Sequence, residues 1–171
     1  MKDIGVILGS TFLLIITIFF VGWYVSYDKA SETFVKDIEY IDATLRFKGG
    51  EVQVALAETD SERLRGLSGQ RMIRENEGLL FVFNESAEHG IWMRDMYFPI
   101  DIIWLDNELK VIGIKENATP ESFQSVRDAE VFTPNMPARY VLEVHSGFVG
   151  TYNVEVEDRF FIDEEGTKNK K

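Results

Sequence analysis

The sequence predicts a mainly β domain, α+β in class with one or two short helices, folded as a compact antiparallel β-sandwich or barrel-like unit behind one N-terminal transmembrane helix. Three observations lead there. Ile4 to Tyr27 contains no charged side chain. The rest of the chain is divided into short β-branched and aromatic runs by turn residues. A helix-initiation pattern stands out at Thr59 and Glu62.

The uncharged run, at about 1.5 Å per helical residue, reaches roughly 36 Å, enough to cross a hydrocarbon core of about 30 Å. Trp23, Tyr24 and Tyr27 gather at its far end, where amphipathic rings favour the headgroup layer. A cleaved secretory signal has a shorter apolar region and a small-residue cleavage site. Here Asp28 stands two positions before Ala30, where a small neutral side chain is needed. Residues 1–27 are therefore expected to form an uncleaved, single-pass anchor. Lys2 before the run and Lys29 and Lys36 after it are too evenly split for charge to set the orientation. A short N-terminal tail ahead of a long uncharged run resembles a signal anchor, which puts the domain outside the cytoplasm. Residues 28–37 read as a polar juxtamembrane linker, 38–162 as the folded domain and 163–171 as a charged tail.

The chain carries 29 acidic and 18 basic residues, a net charge of −11. Nucleic acid is not an expected partner, because binding it depends on basic patches that neutralise phosphates. An acidic surface also disfavours lying flat on anionic lipid. The absence of cysteine excludes disulfides and thiol catalysis. The expected partners are the membrane, through Ile4 to Tyr27, and a glycan, peptide or protein of the cell envelope. No cofactor is expected, and the sequence leaves the oligomeric state open.

Along the folded part, Tyr40 to Phe47 and Glu51 to Ala57 flank Lys48-Gly49-Gly50, and the alternation of Val52, Val54 and Leu56 reads as a hairpin. Thr59 followed by Glu62 has capping-box spacing, which starts a short helix over about Asp60 to Leu67, ended by Gly66 and Gly69. Four further strands follow: Leu79 to Phe83, Ile91 to Phe98, Ile100 to Leu105 and Lys110 to Lys115, the last two joined by Asp106-Asn107-Glu108. Pro99 marks a bend or an edge. Asn117 to Pro137 shows no periodicity and reads as a long covering loop. Tyr140 to His145 is another strand, Gly147 to Tyr152 a turn or helical turn, and Glu155 to Ile162 a closing strand.

Four blocks in one order, Arg65-Gly66-Leu67-Ser68, Glu77 to Phe83 (EGLLFVF), Trp92 to Asp101 (WMRDMYFPID) and Pro137 to Gly147 (PARYVLEVHSG), resemble the DUF192 family, also called UPF0127. The resemblance covers about residues 45–162. It implies a compact, mainly β domain, often behind a signal peptide or anchor, and brings no established reaction or ligand. Two positions depart from the family pattern. Ser68 stands where methionine usually follows the RGL, and Asp95-Met96 replaces a common Asn-Thr.

The candidate ligand-binding residues are Arg65, Trp92, Arg94, Asp101 and Trp104. Charge within apolar strands costs stability unless it is paired, so Arg94 and Asp101 are either structural partners or site residues. As a site, the tryptophans would offer flat apolar walls and the charged groups would orient a ligand. Candidate acid–base groups for an enzyme acting on envelope polymers are Asp101, Glu143 and His145, although no Gly-x-Ser-x-Gly elbow accompanies them. His89, Met93 and Met96 are the candidates for a Cu(I) site. On a regular strand Met96 would point away from the other two, so no metal is expected.

Overall fold

The computed structural model describes residues 42–163. The expected anchor and linker, and nearly all of the expected tail, lie outside the described residues. Among the described residues no helix is long and apolar enough to cross a membrane.

β1 (Ala43–Phe47) and β2 (Gly50–Ala57) form the expected hairpin, with Leu45 opposite Val52 and Ala43 opposite Val54. The helix that follows, α1 (Asp60–Arg65), starts at the predicted capping box. Thr59 accepts the Glu62 backbone N–H at 3.2 Å, and the Glu62 carboxylate accepts the Thr59 N–H at 2.8 Å. No residue of α1 is buried, so the helix depends on its cap and on side-chain tethers: Arg63 donates to the Glu58 and Val82 carbonyls at 2.6 and 2.7 Å, and Arg94 donates to the Leu64 carbonyl at 3.4 Å. Thr59→Ala is expected to cost about 1 kcal/mol, read as a lowered urea midpoint at unchanged slope.

β3 (Glu77–Ala87) runs parallel to β2, with Leu56 beside Leu80. β4 (Ile100–Leu105) and β5 (Val111–Ala118) pair antiparallel. β6 (Ala138–His145) inserts between β3 and β4, antiparallel to both. The short helix α2 (Phe148–Tyr152) and the three-residue β7 (Phe161–Asp163) complete the chain. The seven strands make one sheet in the order β5-β4-β6-β3-β2-β1-β7. The segment that leads into β7 lies beside the start of β5: Val111 N–H donates to the Asp158 carbonyl at 2.8 Å, and Phe160 N–H to the Leu109 carbonyl at 2.9 Å. The sheet is mixed rather than wholly antiparallel, because the α1 crossover returns the chain to the end of β2 from which a parallel neighbour must start.

Alternation along the central strands separates two cores. Leu142 and Val144 of β6 join Ile103 and Leu105 of β4, together with Leu45, Val52 and Val54, on one face. Val141 joins Ile100, Ile102, Trp104 and Phe81 on the other. That second face is roofed by Leu67 and Ile73 from the β2–β3 crossover and by Ile91, Met93, Met96 and Phe132 from longer loops.

Two predicted strands differ. Residues 91–98 do not form one: Ile91 makes an isolated bridge to Phe132, Met96 N–H donates to the Met93 carbonyl at 3.3 Å, and Asp95 has φ 56°. This turn abolishes period-two alternation, so Met93 and Met96 both point into the core while Trp92 and Arg94 stay partly exposed. The closing strand is reduced to β7, because residues 155–158 form a turn in which Asp158 accepts the Glu155 N–H at 2.8 Å and Glu157 has φ 81°.

Candidate functional site

Glu143 sits in the middle of β6, level with Leu79 of β3 and Ile102 of β4. It follows Val141 by two residues and so faces the roofed side of the sheet. The residue is 5% exposed, and its Oε2 has no hydrogen-bond partner. Burial pushes its carboxyl up to about 8, because the ionised form is poorly solvated there. At neutral pH it is a neutral carboxylic acid able to donate a hydrogen bond.

Above it lies the loop that leaves α1. Gly66 has φ 53° and ψ −137°, which suits glycine. A Cβ there would stand 3.3 Å from Phe81 Cζ and 3.9 Å from Glu143 Oε2, so the missing side chain leaves space over the carboxyl. Gly66 N–H donates to the Glu62 carbonyl at 2.8 Å. Gly69 N–H donates to the Asp95 carbonyl at 2.8 Å, and Ser68 Oγ to the Arg94 carbonyl at 2.8 Å. These two bonds stitch the 66–69 loop to the 92–96 turn and hold a cleft open between them.

The cleft is small, about 60 Å³, and open to solvent at its mouth, and its lining includes Arg63, Arg65, Ser68, Phe81, Trp92 and Glu143. Trp92 forms a wall, edge-on to Phe123 with ring centroids 5.8 Å apart. Arg94 lies over the indole, 5.1 Å from its centroid, with Nε 3.7 Å from the Asp95 carboxylate. The two arginines of α1 differ. Arg63 is engaged with two carbonyls and with Asp60 at 2.5 Å. Arg65 is exposed, and its guanidinium makes no hydrogen bond or ion pair among the described residues.

Of the residues singled out from the sequence, the fold thus gathers Arg65, Trp92 and Glu143 around one cleft, with Arg94 packed against the tryptophan. Asp101 is brought elsewhere. It is 0% exposed on the opposite face of the sheet, where it accepts the N–H groups of Asn117 at 2.9 Å, Gly147 at 3.1 Å and Val149 at 3.0 Å. Trp104 is 2% exposed and donates its indole N–H to the His89 carbonyl at 2.9 Å. His145 is solvent-exposed at the end of β6. The His89 ring stacks on Phe83 with centroids 3.4 Å apart, and its Nε2 meets the Glu85 carbonyl at 3.0 Å. Met93 packs in the core, and Met96 packs there and borders the cleft. Among the described residues no three His, Asp or Glu side chains cluster as a metal site.

Arg63, Ser68 and Phe81 were not picked out from the sequence as cleft residues. The signal for Ser68 and Phe81 lay in the RGLS and EGLLFVF blocks, which the fold brings together at Gly66 and Phe81; Arg63 lies in neither block.

The chain is 33% identical over 119 residues to a UPF0127 protein of Thermococcus gammatolerans, covering 68% of this chain and 71% of that protein. Its fold is similar to a Sinorhizobium meliloti protein provisionally described as a transcription regulator, with a TM-score of 0.63 and 29% identity over 70% of this chain and 91% of the other. It is also similar to a Novosphingobium aromaticivorans protein of unknown function, with a TM-score of 0.61 and 26% identity over 70% and 82% of the two chains. Residues 43–162 match the model of DUF192, described as an uncharacterized ACR, and with most of its length so matched the chain belongs to the DUF192 family.

Proposed function

We propose that this domain is a binding module for a small fragment of the cell envelope, a sugar or short peptide, held at a membrane by residues 4–27 with the domain outside the cytoplasm. The observation that carries the binding role is the Glu143 carboxyl beneath an open cleft, whose Oε2 is buried without a hydrogen-bond partner. Buried polar atoms are nearly always hydrogen-bonded, and one that is not calls for a partner. A ligand oxygen reaching the cleft floor would supply it, while Trp92 offers a flat surface for a ring or an aliphatic stretch.

An enzyme acting on envelope polymers is the rival reading, and Glu143 with its raised pKa would be its acid. Glycoside hydrolysis usually needs a second carboxyl flanking the bond, and among the described residues lining the cleft Glu143 is the single carboxyl. Binding therefore has the stronger support. The regulator description of the Sinorhizobium meliloti protein is not carried over, because a net charge of −11 runs against binding the polyanionic backbone of nucleic acid.

Thermal melting of the full chain in detergent tests the proposal, with N-acetylglucosamine, muramyl dipeptide and dialanine each added at high concentration. At least one is expected to raise the melting temperature by about 2 °C or more, and Trp92→Ala is expected to lose that rise. No rise with any of the three, or an equal rise in the variant, would count against it.

A further inference from the structure

Resting on that binding role, we infer that the cleft selects small acids: a ligand whose carboxylate or phosphate pairs with Arg65 while another of its oxygens takes a hydrogen bond from Glu143. The charge around the cleft differs from the charge of the chain. The protein carries 29 acidic against 18 basic residues, yet the cleft is bordered by two arginines and by one carboxyl, and that carboxyl is buried. The positive charge at the mouth is also unspent. Arg63 is committed to two carbonyls and Asp60, whereas the guanidinium of Arg65 is open to solvent with no described partner. A planar guanidinium of this kind can grip a carboxylate or phosphate through paired N–H bonds.

The floor supports the same choice. Glu143 makes no ion pair with either arginine, and its Oε2 has no hydrogen-bond partner. Held as the neutral acid it does not repel an anion, and its O–H can satisfy a ligand oxygen. A cationic ligand would find no ionised carboxylate among the residues lining the cleft and would meet the unpaired Arg65 at its mouth. A neutral ligand could use the floor and the Trp92 wall but would leave Arg65 idle. An acid with a compact polar body uses all three.

Three matched sugars test this: D-glucuronate, D-glucose and D-glucosamine share a ring and differ in carrying a carboxylate, no charge or an ammonium. Each is titrated at pH 6.5 into the full chain in detergent, with the Trp92 indole NMR signal as readout. Glucuronate is expected to bind about tenfold tighter than glucose, with glucosamine weakest. Arg65→Gln should bring glucuronate to the level of glucose. Arg159→Gln removes the same charge from a site outside the cleft, paired with Glu108, and should keep the preference, separating a local contact from the overall field. Glucose binding as well as glucuronate, or glucosamine binding best, would overturn anion selection and leave a binding cleft standing. No response to any of the three would overturn both.

Discussion

Glu143→Gln is expected to gain stability relative to the wild type as pH rises, by about 3 kcal/mol between pH 5 and pH 7.5. The cause is a carboxyl whose folded-state value is raised from 4.5 to about 8 by burial. Between those values the folded protein holds a proton that the unfolded chain has released. Stability from this group is therefore fully present below about pH 4.5 and is lost as pH rises toward about 8. The slope approaches about 1.4 kcal/mol per pH unit within that window. Glutamine keeps the shape and a donor but cannot ionise, so the variant lacks this slope. Urea melts of both proteins at half-unit pH steps give the difference directly, and other titrating groups cancel in the subtraction. Parallel stability curves would mean that Glu143 is ionised, or already solvated, in the folded protein.

Asp101→Ala is expected to cost about 3–5 kcal/mol, because it leaves buried backbone N–H groups without an acceptor. Three converge on this one carboxylate, from Asn117, Gly147 and Val149. They tie β4 to the end of β5 and to the first turn of α2. Asn117 itself has φ 48° and Gly147 φ 92°, so Asp101 holds two left-handed backbone positions in register. Asp101→Asn keeps one acceptor oxygen and turns an amide N–H₂ toward donors, so it should lose a large part of the same stability. Equilibrium denaturation of the two variants measures this. A loss below about 1 kcal/mol for alanine would show that the carboxylate is not structural and would return it to the acid–base candidates.

Local chemistry was legible in the sequence, and long-range register was not. Thr59 and Glu62 announced the start of α1 because a capping box is complete within four residues. Lys48-Gly49-Gly50 announced the first hairpin for the same reason. Residues 91–98 look like a strand in composition, but a turn at Asp95 and a bridge from Ile91 to Phe132 determine their shape. Neither follows from neighbouring residues. The parallel pairing of β2 with β3 likewise depends on how the crossover closes, which leaves no period in the sequence.

The site was half legible for a related reason. Arg65, Trp92 and Glu143 were each picked out by residue type, and nothing local joined them. Asp101 and Glu143 both sit in apolar strands and looked interchangeable as acids. The pairing of β4 with β6 sets Asp101 beside Val144 and Glu143 beside Ile102, which sends the two carboxyls to opposite faces. One ends among three N–H donors and the other beneath a cleft.

The place of β6 in the sheet bears on how the molecule is made. Because β6 lies between β3 and β4, the strands synthesised earlier form two halves that cannot join until residues 138–145 leave the ribosome. Until then β3 and β4 each present an unpaired edge, the kind of surface on which partly folded chains stick to one another. The strand that ends this exposure is the one that carries Glu143. Sealing the sheet and placing the buried acid are therefore a single late event, and a chain stalled before it has neither.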